Sequence, residues 1–334
     1  MPHDGLLNLA PEGERRQPFA SGGLGSVFLV NKPLLGGLCV EKRLHPHLAE
    51  LRCFRQRFVL EARIGLALRH PNLSQTLLLV DAPGAGLRFY QPLVPGPTLT
   101  RLRPLLPQLA PGVRLALAGQ LLADGFAALD GLYEVRIAGR PGGRVLAHSD
   151  IAPANFVMRD DATFVLIDYG QAHTSDRPDG EMDTSGHASR FMAPWCLHAK
   201  ERTSCASDAW SLALVALDIA TGCSFHAEGA ERFDVTGLLE RVLRASRDLR
   251  TYEKSFPWLP AAQRLVHCET AKEAAALAPP LRAQLPHKRN VSGQSDAVRS
   301  SLSNDALHTL RSVVGAAFED LFRRVADAAF GATA

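Results

Sequence analysis

The hydrophobic period of this chain changes once, near residue 96, and that change limits the fold more than any other feature. Upstream, FASGGLGSVFLV, GLCVEKRL and TLLLVDAPGAGLRFYQPLV are short apolar runs broken by Gly and Pro, the pattern of paired strands. One segment there has a helical period: residues 48–69 space Leu51, Phe54, Phe58, Ile64 and Leu68 along one face. RHPNL stops it, because proline excludes the helical conformation at the residue before it. Downstream, residues 112–133 form a strongly apolar helix. FVLID reads as a buried strand. DAWSLALVALDIATG is apolar nearly all round, so it needs other elements on every side. The final segment, from Asp305, is amphipathic, with Leu310, Val314, Phe318, Leu321 and Val325 on one face. The expectation is an α+β chain, strand-rich with one helix first and mainly helical afterwards.

A chain of 334 residues can bury a sizeable core, as one two-part domain or two ordinary ones. A net charge of +3 gives no basis for a nucleic-acid or membrane-surface partner. Most of the basic residues are arginines, a usage that points to a GC-rich bacterial genome. The six cysteines (Cys39, Cys53, Cys196, Cys205, Cys223, Cys268) show no C-x-x-C spacing, which speaks against zinc. Scattered thiols in a chain this long fit a reducing compartment. The first residues lack the cationic start and apolar run of a secretory signal. No run of 18 uncharged apolar residues suggests a membrane span. The expected setting is the cytoplasm.

The chemistry-bearing residues come in a definite order. ASGGLGSV offers three glycines, whose backbone N–H groups can approach phosphates closely. It lacks G-K-[ST] and is not a Walker loop. Fifteen residues after Val27, Lys42 sits at the end of an apolar strand, where an unpaired charge is costly. Glu61 follows nineteen residues later among apolar helical neighbours. AHSDIAPANFV then places Asp150 five residues before Asn155, and VLIDYGQ adds Asp168. A glycine loop, a strand lysine and a helical glutamate in that order form a phosphate-clamp pattern.

These motifs resemble those of eukaryotic-type protein kinases, specifically of a bacterial member. CVEK resembles V-A-I-K, HSDIAPAN resembles H-R-D-L-K-P-x-N, and DYG resembles D-F-G. RFMAPW resembles the end of the activation segment, and SDAWSL, led by Asp208, resembles the start of the large-lobe helix. The resemblance implies a bilobal protein-kinase-like fold. Its parts would be an extension over 1–17, a small lobe over 18–94 and a large lobe over 95–285. A flexible linker over 286–304 and a C-terminal helix over 305–334 would follow. It implies ATP and Mg²⁺ as cofactors and a protein as substrate, with room for self-association or a regulatory partner. Gly22, Gly23, Gly25 and Val27 would cover the nucleotide. Lys42 would hold the α/β-phosphates and Glu61 would orient it. Asp150 would act on the substrate hydroxyl, and Asn155 and Asp168 would ligate metal. Gln91, Pro92 and Val94 would meet the adenine at the hinge, and His148 would pack rather than react.

The departures from the family pattern concern supports and, at Ala20 and Ala152, the phosphate site itself. Ala20 replaces the first loop glycine. Ser149 stands where H-R-D has arginine, the receiver of an activation-loop phosphate, so a non-RD enzyme is implied. Thr174, Ser175, Thr184, Ser185 and Ser189 supply hydroxyls in that segment all the same, as does Ser292 in KRNVS further on. Ala152 replaces the catalytic-loop lysine, and Arg190 is a candidate replacement cation. Trp195 stands where A-P-E has glutamate, and a plug is expected. Gly65 stands where a bulky residue is usual, which suggests a gap or a shifted helix. Tyr169 in DYG needs a partner for its hydroxyl if buried. Three functions follow: a Ser/Thr protein kinase, an ATP-binding pseudokinase acting as a regulatory scaffold, and a small-molecule kinase of the aminoglycoside or choline type. RHPNL, RFMAPW and SDAWSL favour the first over the third.

Overall fold

The apolar segments of the first third satisfy their backbone groups by pairing into one antiparallel sheet. Its strands are β1 (Gln17–Ser21), β2 (Gly25–Lys32), β3 (Gly37–Leu44), β4 (Leu78–Ala82) and β5 (Gly86–Pro92), in the order β1-β2-β3-β5-β4. A single turn, α1 (Pro46–Ala49), precedes the one long helix of this region, α2 (Arg52–Ala67). The structure, a computed structural model, describes residues 16–82, 86–137, 143–175, 191–198, 202–222, 235–285 and 304–330.

Strand alternation sends successive side chains to opposite faces of this sheet. Leu87 and Phe89 join Phe58 and Ala62 in a core between sheet and α2. Tyr90 packs with Val30 and Cys39 in a separate cluster. Glu41, paired in register with Tyr90, is fully buried and bridged by Arg43 and Arg16. The opposite parity puts Lys42 beside Phe89, on the face that α2 covers.

The helical part is built around α4 (Pro111–Tyr133) and α6 (Cys205–Thr221), which pack on each other. Every residue from Ala206 to Ala220 is buried, so the all-round apolar pattern finds its surroundings. Gly222 ends α6 in the left-handed conformation (φ 67°), the usual glycine stop. Around this pair lie α3 (Leu99–Leu102), α5 (Pro194–His198), α7 (Val235–Ser246), α8 (Trp258–Val266), α9 (Ala271–Arg282) and α10 (Asn304–Phe330). Three short strands, β6 (Val145–Ala147), β7 (Phe156–Met158) and β8 (Phe164–Leu166), carry the functional loops, and β9 (His173–Thr174) pairs with β6.

One sequence expectation changes. Leu51 is not on the buried face: it precedes α2 as its N-cap and is 47% exposed. By length and composition α4 could cross a membrane, but it carries Arg114, Asp124 and Asp130 and its residues line the large-lobe core. On α10, Leu310, Val314 and Phe318 enter that core as expected, while the side chains of Leu321 and Val325 lie outside the described ones. Residues 1–15 of the expected extension over 1–17 and nearly all of the linker over 286–304 are also outside the described residues, while Gln17, expected in the extension, begins β1.

Candidate active site

Lys42 makes the first link. Its Nζ lies 2.6 Å from Glu61 Oε1 and 3.1 Å from Asp168 Oδ2. Burial favours the neutral amine, but the two carboxylates outweigh it and push the Lys42 pKa upward. Burial pushes Glu61 up, and the Lys42 ammonium pulls it back. Asp168 is also desolvated, yet the Lys42 charge and the Gly170 N–H hold its pKa down to about 2. Its backbone has φ 64°, a left-handed conformation rare outside glycine, which aims the carboxylate at Lys42. The three charges come from β3, α2 and the turn after β8, so sheet, helix and large lobe must sit together for the cluster to exist.

The glycine loop is the β1–β2 turn, closed by Gly22 N–H donating to Gly25 O at 2.9 Å. Gly25 is required by packing: a Cβ there would lie 2.0 Å from the Arg43 carbonyl oxygen. His45 holds this turn from the side, with Nε2 3.1 Å from Gly22 O and its N–H on Leu24 O. At the other end of β5 the chain leaves the sheet as Gln91-Pro92-Leu93-Val94. Gly96 then presses against β7, where a Cβ would meet Met158 O at 1.8 Å. Met158 N–H donates to Pro97 O, so the hinge exit is clamped to the catalytic strands.

The catalytic loop joins β6 to β7 and is held from beneath by Asp208. Its carboxylate accepts from the backbone N–H groups of His148 (2.6 Å) and Ser149 (2.9 Å) and from Tyr133 Oη (2.8 Å). Burial raises its pKa to about 6 against these donors. Ser149 takes φ 70° to make its bond. Asn155 Nδ2 donates to both Asp150 O (2.8 Å) and Asp150 Oδ2 (2.9 Å), which fixes the aspartate and leaves Asn155 Oδ1 as the atom able to coordinate. His148 is fully buried with its ring edge-on to Tyr169 at 5.9 Å. Burial drives its pKa down to about 4, so it is a neutral packing residue, as expected. The Tyr169 hydroxyl finds its partners in Ser74 O (2.8 Å) and Leu166 O (3.2 Å).

All twelve expected site residues line one cleft of about 740 Å³: Gly22, Gly23, Gly25, Val27, Lys42, Glu61, Gln91, Pro92, Val94, Asp150, Asn155 and Asp168. Sequence reasoning missed Arg57, which also lines it and donates from Nε to Gly170 O. The signal was available: Arg57 lies four residues before Glu61, on the same helical face. It also missed His45, whose contact depends on the path of the turn, and named Asp208 only as the start of a helix.

Three of the departures, Gly65, Ser149 and Trp195, have physical replacements. Gly65 leaves no gap: Thr76 occupies the space, with Oγ1 2.1 Å from where a Cβ would stand and its N–H bonded to Gly65 O at 2.9 Å. Ser149 Oγ lies 2.7 Å from Thr203 Oγ1, so this hydroxyl faces the region before α6. Trp195 is a buried plug, as expected, edge-on to Trp210 at 6.2 Å. Thr174 is buried in β9 rather than displayed, while Ser175 is exposed. Arg190, Thr184, Ser185, Ser189 and Ser292 lie outside the described residues. Arg57 and Arg101 are guanidinium groups that do line the cleft.

Comparison with known proteins agrees with this architecture. The structure is similar to that of the PknI kinase domain of Mycobacterium tuberculosis, at 20% identity and TM-score 0.51, covering 82% of this chain and 97% of that one. A doubly substituted variant of that domain gives 19% identity and TM-score 0.52 over 82% and 96%. At such identities the likeness speaks to the fold alone. No curated protein matches the sequence. The protein kinase domain matches residues 16–291, most of the chain, and the protein belongs to that family.

Proposed function

We propose that this protein is an ATP- and Mg²⁺-dependent kinase that phosphorylates serine or threonine hydroxyls of proteins, itself included, from the cytoplasm. The observation that carries this reading is the convergence of all twelve site residues on one cleft, with Lys42 paired to both Glu61 and Asp168. A nucleotide suits the cleft. Its glycine turn is backed by the close approach at Gly25, and the Gln91 amide leaves Nε2 buried without a hydrogen-bond partner among the described residues. Val94 can offer a backbone N–H beyond Pro92, which has only its carbonyl. Asp168 and the Asn155 oxygen are hard donors that suit Mg²⁺, and they would hold it. When bound, the metal would neutralise phosphate charge.

The chain's own residues then divide the work. Lys42 positions anionic oxygen, and Glu61 and Arg57 fix Lys42 and the Asp168 turn respectively. Asp150, oriented by Asn155, receives or directs the proton of the incoming hydroxyl. With Ser149 engaged by Thr203, the loop is supported without an arginine, so we infer a non-RD enzyme that needs no activation-loop phosphate.

A second reading, a nucleotide-binding pseudokinase, is favoured by Ala152, which removes the loop cation. Purified protein incubated with ATP and Mg²⁺ and mapped by phosphopeptide mass spectrometry separates the two. Phosphoserine or phosphothreonine that disappears in Lys42→Met supports the enzyme. Thermal stabilisation by ATP with no phosphate on the protein or on generic substrates supports the scaffold.

A further inference from the structure

Beyond the cleft, the large lobe holds a second cavity, of about 490 Å³, between α7, the 3₁₀ turn Arg247–Tyr252 and α8. It shares no lining residue with the nucleotide cleft. Its floor is Leu243, Ser246 and Gln263, and Gln263 is held in place by donating from Nε2 to Ser246 O at 3.3 Å. Its rim is cationic: Arg244, Arg247 and Arg250 stand at intervals of three, and His267 faces them from the end of α8. A 3₁₀ turn has three residues per turn, so Arg247 and Arg250 stack on one side. All three arginines and His267 are exposed, and among the described residues Glu240 is the one carboxylate of the lining. Asp248, on the same turn, does not line it.

Three guanidinium groups around a concave, partly apolar floor are suited to carboxylates or phosphates carried on a chain, because each can bind in a two-pronged manner. The volume of about 490 Å³ and the mixed floor of Leu243, Ser246 and Gln263 suit a side-chain-bearing segment better than a bare anion. We propose that this cavity docks an acidic segment, rich in Asp, Glu or phosphoserine, of the protein on which the kinase acts. This rests on the protein-kinase reading for the partner's role but not for the binding itself. Holding a substrate at a second site raises its effective concentration at the cleft without altering the chemical step.

The test uses the full chain and a fluorescein-labelled octaglutamate peptide, with its phosphoserine counterpart, followed by anisotropy at low and high salt. Arg244→Glu/Arg247→Glu should weaken binding by about tenfold or more, and salt should weaken the wild type, since rim charges are screened. Arg264→Glu, an exposed arginine outside the cavity, should have little effect. Autophosphorylation of the double variant should stay within about threefold of wild type, while KM for a protein substrate with an acidic tail should rise at constant kcat. No peptide binding, equal binding by the double variant, or preference for inorganic phosphate or phosphatidylserine vesicles over the peptide would overturn the proposal. If peptide binding behaves as expected but no substrate is phosphorylated, the docking site stands and the enzyme reading fails.

Discussion

The wall of the cleft and the scaffold behind it differ in how closely they keep to the family pattern. On the wall, Lys42, Glu61, Asp150, Asn155 and Asp168 are all the expected residues, hydrogen-bonded in two groups, Lys42 with Glu61 and Asp168, and Asn155 with Asp150. Behind it, the expected arginine, glutamate and bulky helix residue are gone, replaced by Ser149–Thr203, Trp195–Trp210 and Gly65–Thr76. The difference has a chemical reason. Groups that face a polyphosphate must present fixed charge and fixed geometry, whereas a support can exchange an ion pair for packing if its volume is filled. Three of the departures are therefore alternative solutions to a structural requirement. Ala152 is different, because a methyl group cannot supply charge.

The largest effect should come from the wall. Lys42→Met should lower phosphotransfer by about 10³-fold, roughly 4 kcal/mol of barrier, with the fold retained by circular dichroism. A variant with residual activity within tenfold would erase the distinction between wall and scaffold. Trp195→Ala should behave oppositely. It should cost about 4 kcal/mol of stability in urea unfolding through loss of the plug, with kcat of the folded fraction little changed.

His148 lies between the two regions and gives a pH signature. Its folded pKa is about 4 against an ordinary 6.5, so the native state refuses a proton that the unfolded chain accepts. Its contribution is complete above pH 6.5 and declines as pH falls toward 4, by about 3 kcal/mol in all. Asp208, with its pKa raised to about 6, gains stability in the same direction of pH and partly masks this. Comparing unfolding of wild type and His148→Phe at pH 7 and pH 4.5 isolates the histidine. The variant should lose less stability on acidification, and equal losses would mean that His148 is not excluded from protonation.

Smaller effects sharpen the scaffold side. Gly65→Ala would place a methyl 2.1 Å from Thr76 Oγ1 and should cost about 2 kcal/mol, with part recovered by adding Thr76→Ala. Ser149→Ala removes one hydroxyl pair and should cost about 1 kcal/mol with activity unchanged.

Much of this was legible in the sequence because it depends on local order. The alternation in GLRFYQP fixes which side chains face α2, and the CVEK parity puts Lys42 with them. The cleft residues were legible from the order of the motifs and their resemblance to those of protein kinases, and the hinge residues Gln91, Pro92 and Val94 from that resemblance alone. What was not legible depends on contacts between distant segments. Thr76 filling the space above Gly65, Thr203 meeting Ser149 and His45 bonding the glycine turn arise only after the chain folds back. Leu51 had the right period for the helix face, but its position just outside α2 exposes it. The basic cavity is assembled from two helices and a 3₁₀ turn, and no single window shows it.

The central claim is that an intact wall transfers phosphate over an altered scaffold and beside an Ala152 loop. Intact-mass measurement after incubation with ATP and Mg²⁺, wild type against Asp150→Asn, tests it most directly. The expected result is added phosphate on the wild type and none on the variant. An unmodified wild type that ATP nevertheless stabilises against heat, or equal phosphate on both proteins, would contradict it.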